Sequence, residues 1–391
     1  MQNKTIMHIA HYAAPYMGNF IESLVALEAE LKSSGNRMIY VFPETCKNTA
    51  WIHDFSSQHI VYFVESCITK HKFFLNKKVI CNLIAIFEKE QPDIIHSHFD
   101  GYDIPILLAK KKLNLSSPII WHHHNPKTLM QNPIKRTYQK LCLYRQYQIW
   151  GKQAYIIPVS DSCFEEVRSY GFDMTRAYTI NNGICETRIR QKDLNQKTNH
   201  EPFTFLCFGG RGDHKGIDIL LNAVKLLKDS CAFKLILVKG SDTEQYVASA
   251  FGSRPPSEIQ LIAPVENINI LFDQADCFIS SSRRETFSYA VHEAALYGLP
   301  IISSDIPALQ KINQMPSVFT FPNQDSDALA SQMKTLILNQ QQDMFSALYE
   351  TRKYVEDHLT IRRWAQIIIE QYTVLLKQNQ FMKKALENES H

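Results

Sequence analysis

The sequence predicts an α/β protein built of two Rossmann-like domains, each a parallel sheet covered by helices on both faces. Three observations predict it. Short β-branched runs alternate with amphipathic helical stretches along the 391 residues, the pattern of repeated βαβ units. A polar stretch from Glu186 to Pro202 carries neither strand nor helix periodicity and divides the series in two. At roughly 150 residues per domain, the length suits two or three separate cores.

In chain order, Thr5 to Ala10 reads as a strand and Pro15 and Gly18 punctuate the loop after it. Phe20, Leu24, Leu27 and Leu31 then fall on one helical face that ends at Gly35. Further strands are expected at Arg37 to Phe42, Ile60 to Val64, Ile94 to Ser97, Pro118 to His122, Tyr155 to Val159 and Tyr178 to Asn181. Pro133 opens a helix that runs to Trp150 and mixes aromatic with basic residues. The second series has strands at Phe203 to Phe208, Lys234 to Val238, Ile259 to Ile262, Cys277 to Ser280, Pro300 to Ser303 and Val318 to Phe321. A long helix follows over Ile361 to Leu386. The domains are therefore placed at 1–188 and 203–360, with a linker at 189–202 and a terminal helical segment at 361–391.

Composition narrows the function. Hydrophobic residues are 45% and charged residues 21% of the chain, which excludes disorder, collagen and coiled coil. Nine scattered cysteines without a C-x-x-C pair fit reduced thiols in a cytoplasmic protein. No apolar run reaches the roughly 18 residues of a membrane span, so a soluble or at most peripheral protein is expected. Residues 1–200 hold 24 Lys/Arg against 17 Asp/Glu, and the remainder 18 against 22. The basic first half suits an anionic membrane surface or a phosphate-bearing substrate, or reflects ordinary surface drift. Basic residues are not gathered with aromatics into a nucleic-acid module.

Thirteen glycines are few, since about 7% would give roughly 27. Four stand within eight residues, Gly209-Gly210-Arg211-Gly212-Asp213-His214-Lys215-Gly216, between a strand and the helical run Ile217 to Leu227. Backbone N–H groups of such a loop, with Arg211 and Lys215, suit a phosphate. Neither a Walker loop nor a G-x-G-x-x-G dinucleotide fingerprint is present. A second constellation, Glu285-Thr286-Phe287-Ser288-Tyr289-Ala-Val-His-Glu293, sets two glutamates eight apart with a helix beginning near Ser288. Both face one ligand across the helix start, where the N–H groups of Phe287, Ser288 and Tyr289 are open to a diphosphate. A third is histidine-rich: His96-Ser97-His98 ends one strand and His122-His123-His124 the next. Zinc is one use for five such imidazoles. Strand alternation, however, aims His122 and His124 one way and His123 the other, and no metal is assigned.

The glutamate stretch resembles the Glu-x7-Glu signature of family 4 retaining glycosyltransferases, enzymes of the two-domain GT-B fold. Gly210-Arg211 and Lys215-Gly216 are similar to that family's Gly-Arg and Lys-Gly element. Asp276-Cys-Phe-Ile-Ser-Ser-Ser, Val159-Ser160-Asp161-Ser162 and Asn182-Gly183-Ile184 look like further family signals. The resemblance implies that Glu285 holds the donor sugar with Gly18, Gly210, Thr286, Phe287 and Ser288 around the donor, and that Glu293 binds the ribose. It implies that Arg211 and Lys215 stabilise the leaving diphosphate, that His124 contacts the sugar near the reacting carbon, and that His98 lies on the acceptor side. No cofactor or metal is implied, and the donor is a nucleotide sugar, UDP-linked foremost. The terminal helix is expected to cross back to the first domain.

Two departures stand out. The family's N-terminal Gly-Gly is Gly18-Asn19 here, and its Gly-Phe-Gly after the first glutamate is Thr286-Phe287-Ser288. Each lost glycine places a Cβ beside the donor. Arg283 and Arg284 reach a donor carboxylate or face solvent. The resemblance implies transfer of a hexose or N-acetylhexosamine to a glycan, protein-linked glycan or lipid-linked acceptor in cell-surface polysaccharide synthesis, at the inner face of the cytoplasmic membrane. Lys110 to Lys112, Lys135, Arg136, Lys140 and Arg145 make a surface for anionic lipid, unless Tyr138, Leu141, Tyr144 and Ile149 are core. The rival readings are a catalytically silent GT-B carbohydrate-binding or partner-stabilising subunit, and a GT-B sugar phosphorylase or epimerase.

Overall fold

A computed structural model describes residues 1–66, 77–124, 130, 132–195, 200–339 and 343–389. The chain divides into two compact units, Met1–Gly183 with Ile361–His391, and Ile184–Thr360. The first runs β1 (Thr5–Ala10), α1 (Gly18–Ser33), β2 (Arg37–Pro43), α2 (Ile52–Gln58), β3 (Ile60–Val64), α3 (Lys77–Glu90), β4 (Ile94–His98), α4 (Asp103–Lys112), β5 (Ile119–His123), α5 (Pro133–Ile149), β6 (Tyr155–Pro158) and α6 (Asp161–Ser169). The second runs β7 (Phe203–Phe208), α7 (Gly212–Lys215), α8 (Ile217–Leu227), β8 (Phe233–Val238), α9 (Thr243–Phe251), β9 (Ile259–Ile262), α10 (Asn269–Phe272), β10 (Cys277–Ser280), α11 (Tyr289–Tyr297), β11 (Ile301–Asp305), β12 (Val318–Pro322), α12 (Ser326–Leu338) and α13 (Phe345–His358). The long α14 (Ile361–Glu389) belongs to the first unit.

Each unit holds one six-stranded parallel sheet, in the orders β3-β2-β1-β4-β5-β6 and β12-β11-β10-β7-β8-β9. A parallel sheet covered on both faces needs strands that are apolar throughout, and β1 (TIMHIA) is buried over all but its first residue. Each sheet accordingly separates two hydrophobic clusters. In the first unit, Leu24, Leu27 and Leu31 of α1 join Trp364, Ile368 and Leu375 of α14 on one face, while Leu83, Phe87 and Ile106 cover the other.

The family-like signals have local physical reasons. The Ser160 hydroxyl caps α6 by accepting from Cys163 N–H at 3.3 Å. Asp276 accepts from Thr204 N–H at 2.8 Å, tying the starts of β10 and β7. Gly183 passes α14 so closely that a Cβ there would stand 2.6 Å from Ile361 Cα.

One expectation is corrected. Tyr178 to Asn181 is not a strand: it makes two hydrogen bonds, Tyr178 N–H to Ile156 O and Ile180 N–H to Pro158 O, both 3.0 Å. Pro158 has no N–H to return and ends the ladder. Within the expected linker, the described residues are held by hydrogen bonds. Lys192 N–H donates to Tyr297 O at 3.0 Å, Lys192 O accepts from Arg352 at 2.8 Å, and Arg190 N–H donates to Asn269 Oδ1 at 2.8 Å. Residues 196–199 and Cys67 lie outside the described residues. The eight other cysteines are free thiols. Among the described residues no helix is long and apolar enough to cross a membrane.

Candidate active site

In the second unit the glycine loop leaves β7 beside the loop after β8, with the two backbones against each other. A Cβ on Gly240 would stand 2.1 Å from Gly210 N, so neither chain can carry a side chain at the contact. The loop then makes one helical turn, α7, instead of entering the long helix directly. Gly216 breaks that turn in the left-handed conformation (φ +61°), and a Cβ there would lie 2.0 Å from Ser281 O. Of the loop amides, Gly209 N–H is held by Val238 O and Gly212 N–H by Asp242 Oδ1, both at 2.8 Å. Those of Gly210 and Arg211 have no partner among the described residues.

This turn delivers Lys215 to the loop that follows β10. Lys215 Nζ lies 2.5 Å from Glu285 Oε1, which also accepts from Ser282 Oγ at 2.9 Å. The pair is mostly sheltered, its side chains 27% and 13% exposed. Arg211 instead projects into solvent and pairs with Asp213 at 3.0 Å. An exposed pair of this kind is worth about 0–1 kcal/mol, so Arg211 changes partner at little cost. Arg283, weighed above as facing a donor carboxylate or solvent, is spent on Asp218 with contacts of 2.7 and 2.5 Å. Arg284 meets His214 Nε2 at 2.9 Å.

After Glu285, Thr286 is half-buried, whereas the Phe287 ring is core and stacks on His292 at 4.3 Å between centroids. Only the backbone of Phe287 is left to meet a ligand, and its N–H has no partner among the described residues. Ser288 stands immediately before α11 in the left-handed region (φ +62°). Its hydroxyl is buried without a hydrogen-bond partner. The backbone here thus keeps the conformation that a glycine favours. Glu293 is buried in the second turn of α11.

In the first unit, His98 and His124 are brought together, with Nδ1 of the first 3.0 Å from Nε2 of the second. Gly18 starts α1 at φ +59°, and Phe20 from the same turn meets both rings edge-on at 5.1 and 5.3 Å. His96, His98, His122 and His123 are all nearly or fully buried, so none is a solvated surface side chain. His122 and His124 stack at 4.2 Å, as strand alternation requires. His123 turns the other way, towards Asp100 and Glu166 at 3.6 and 3.5 Å. Burial pushes the His124 ring down to about 3 and His8 likewise to about 3, so both are neutral. By donor type, His8, His96 and His98, or His98, His122 and His124, offer nitrogens within the 4.8 Å of one another that a metal ion needs.

Sequence reasoning missed four participants: Ser282 at Glu285, Asp218 at Arg283, and His8 and Tyr372 among the histidines. Ser282 lay inside the Asp276-led stretch without a role, and His8 stood out as the lone ionisable residue of its strand, whereas Asp218 and Tyr372 carried no signal.

Comparison with known proteins gives the class. Residues 202–339 match the model described as "Glycosyl transferases group 1", and residues 25–188 the one described as "Glycosyltransferase Family 4". Together they define a glycosyltransferase. A protein of the Klebsiella pneumoniae cps region is 25% identical over 265 residues, covering 63% of this chain and 71% of its own. The GDP-mannose:cellobiosyl-diphosphopolyprenol alpha-mannosyltransferase of Xanthomonas oryzae is 28% identical over 189 residues, covering 46% of this chain and 48% of its own. Anabaena HepE, solved with UDP and glucose, superimposes with a TM-score of 0.74 at 14% identity over 95% of this chain and 100% of its own. The chain belongs to the family 4 glycosyltransferases, and its two Rossmann-like units make the GT-B fold.

Proposed function

We propose that the protein is a retaining glycosyltransferase that moves a hexose or N-acetylhexosamine from a nucleotide-diphosphate donor, UDP-linked foremost. The acceptor is a hydroxyl of a glycan, protein-linked glycan or lipid-linked glycan in cell-surface polysaccharide synthesis. The observation that carries the reading is the Lys215–Glu285 pair, which joins the cationic glycine loop to the first glutamate of the signature. The relatives support the pathway and the donor class: one lies in a cps region, one uses GDP-mannose on a polyprenol-linked sugar, and HepE binds UDP.

The chemistry needs no carboxylate nucleophile. The bond from the anomeric carbon to the phosphate oxygen breaks, and the acceptor oxygen bonds to the same face of that carbon. The departing phosphate oxygen takes the acceptor proton. Lys215 and Arg211 meet the charge that develops on the diphosphate, where one placed donor is worth about 3–4 kcal/mol of barrier. Glu285, Thr286 and the Phe287 and Ser288 amides hold the sugar and phosphates, Glu293 the ribose, and His124 the sugar hydroxyls. Gly18 lets the start of α1 approach the donor, and His98 serves the acceptor side. No step calls for a metal.

A peripheral contact with anionic lipid at the inner face of the cytoplasmic membrane belongs to the same proposal. Ile134, Tyr138 and Leu141 of α5 are 81%, 57% and 63% exposed and stand at i, i+4 and i+7 on one face. The helix carries Lys135, Arg136, Lys140 and Arg145 and no carboxylate. Apolar residues flanked by cations alone suit a surface of acidic headgroups.

The test is a panel of nucleotide sugars scored by thermal shift and by release of free nucleotide diphosphate. One donor is expected to raise Tm and to be turned over; a panel in which none does either overturns the reading.

A further inference from the structure

Six buried side chains of the first unit form one unbranched hydrogen-bonded chain. His124 Nε2 meets His98 Nδ1 at 3.0 Å, and His98 Nε2 meets His8 Nδ1 at 2.9 Å. His8 Nε2 meets Tyr372 Oη at 3.1 Å, Tyr372 Oη meets His96 Nδ1 at 2.6 Å, and His96 Nε2 meets His122 Nδ1 at 3.1 Å. The strands β1, β4 and β5 supply four of the rings, His124 follows β5 directly, and α14 supplies the tyrosine. Among the described residues the free ends are His124 Nδ1 and His122 Nε2, the latter buried without a partner.

Proton counting permits few arrangements. Burial keeps all five rings in the neutral form, so each has one N–H and one bare nitrogen. Tyr372 has one proton and two nitrogen neighbours. If its hydroxyl donates to His96, every contact is satisfied only when all five rings are protonated on Nε2. If it donates to His8, all five must be protonated on Nδ1. Any mixture sets two N–H groups or two lone pairs against each other, or has both neighbours donate to Tyr372 Oη and strands its proton, leaving buried groups unsatisfied at about 1–3 kcal/mol each.

We propose that these five imidazoles share one tautomer and change it only together, with Tyr372 setting its direction and His124 presenting the outcome at the chain's end. Tyr372, His8 and His98 are then positioning residues that decide whether His124 offers a donor or an acceptor. That consequence rests on the reading of His124 as a sugar contact. The Nδ1–H arrangement is favoured, because it leaves a bare nitrogen rather than an orphaned N–H at His122. His124 therefore offers an N–H to a sugar oxygen.

A metal ion competes for the same nitrogens. All but the two end atoms are already engaged with neighbouring groups, and no carboxylate is among the candidate ligands of either triad. An ion would have to break these contacts before it could bind.

The test is long-range proton–nitrogen NMR on protein labelled with 15N-histidine, assigned with single His→Gln variants, alongside metal analysis of the isolated protein. One tautomer, Nδ1–H, is expected at His8, His96, His98, His122 and His124. Tyr372→Phe is expected to end this uniformity, by freeing His96 and His122 from the other three. Two tautomers in the folded wild type, or stoichiometric zinc removed only by chelation, would overturn the proposal. Should Tyr372→Phe fail to fold, the wild-type spectrum alone decides. The spectrum needs no substrate, so the absence of any transferase activity would sink the functional reading and leave this one standing.

Discussion

Lys215 Nζ and Glu285 Oε1 lie 2.5 Å apart although 70 residues separate them in the chain. The contact ties together the two loops at the ends of β7 and β10, neighbours in the sheet. An ammonium group already held by a carboxylate is preorganised for a phosphate arriving between the same loops, because it needs little reorientation when charge develops.

Replacing Lys215 by Met or Glu285 by Gln should therefore lower kcat by about 10²–10³ while the melting temperature changes little. Steady-state release of nucleotide diphosphate, with circular dichroism as a folding control, checks this. A loss confined to KM would mean that the pair serves binding alone.

Ser288→Gly should stabilise the second unit by about 1 kcal/mol. The serine occupies the left-handed region at φ +62°, and its buried hydroxyl has no partner. Glycine removes both penalties, so the urea midpoint should rise. Gly216→Ala should do the opposite, by about 1–3 kcal/mol, because its Cβ would enter contact distance of Ser281 O.

Acid should destabilise the first unit before the second. His8 and His124 titrate near 3 in the folded state against 6.5 when unfolded. The unfolded chain thus takes up protons that the folded one refuses. Their contribution is intact above pH 6.5 and is lost progressively as the pH falls towards about 3. The second unit carries one comparable ring, His292, lowered to about 4 by burial. Urea midpoints measured between pH 7.5 and 5 should drop, and His8→Gln should flatten the slope if it folds.

Replacing Ile134, Tyr138 and Leu141 together with Ser should abolish cosedimentation with vesicles rich in phosphatidylglycerol, leaving donor hydrolysis intact. The charge reversal Lys135→Glu with Arg136→Glu should do the same, and added salt should weaken wild-type binding. Equal binding by all three proteins would remove the membrane from the proposal.

Much of the fold was legible because parallel strands buried on both faces must be written as continuous apolar runs. Phe203–Phe208 and Cys277–Ser280 show this, with bounds readable to the residue. Tyr178 to Asn181 reads the same way, but a proline in its neighbour denies it a ladder, and pairing partners are invisible in a local pattern. The site divides likewise. Glu285 and Lys215 stood out through their motifs, whereas Asp218 looks like any acidic residue in a first helical turn, and only the folded backbone lays it against Arg283. Tyr372, one aromatic among several on α14, had no signal at all, since its meaning lies in strands more than 270 residues earlier.

That helix also sets an order of assembly. Trp364, Ala365, Ile368, Tyr372 and Leu375 complete the core beside α1, and Tyr372 links the buried rings of β1 and β4. On the ribosome, residues 1–183 emerge first yet wait without their last wall until 361–375 is made, while Ile184–Thr360 has every element it needs to close earlier. The first-unit core thus lacks these α14 side chains through the synthesis of more than 170 further residues. This is the window in which a chaperone, or a mispaired copy, would meet this chain.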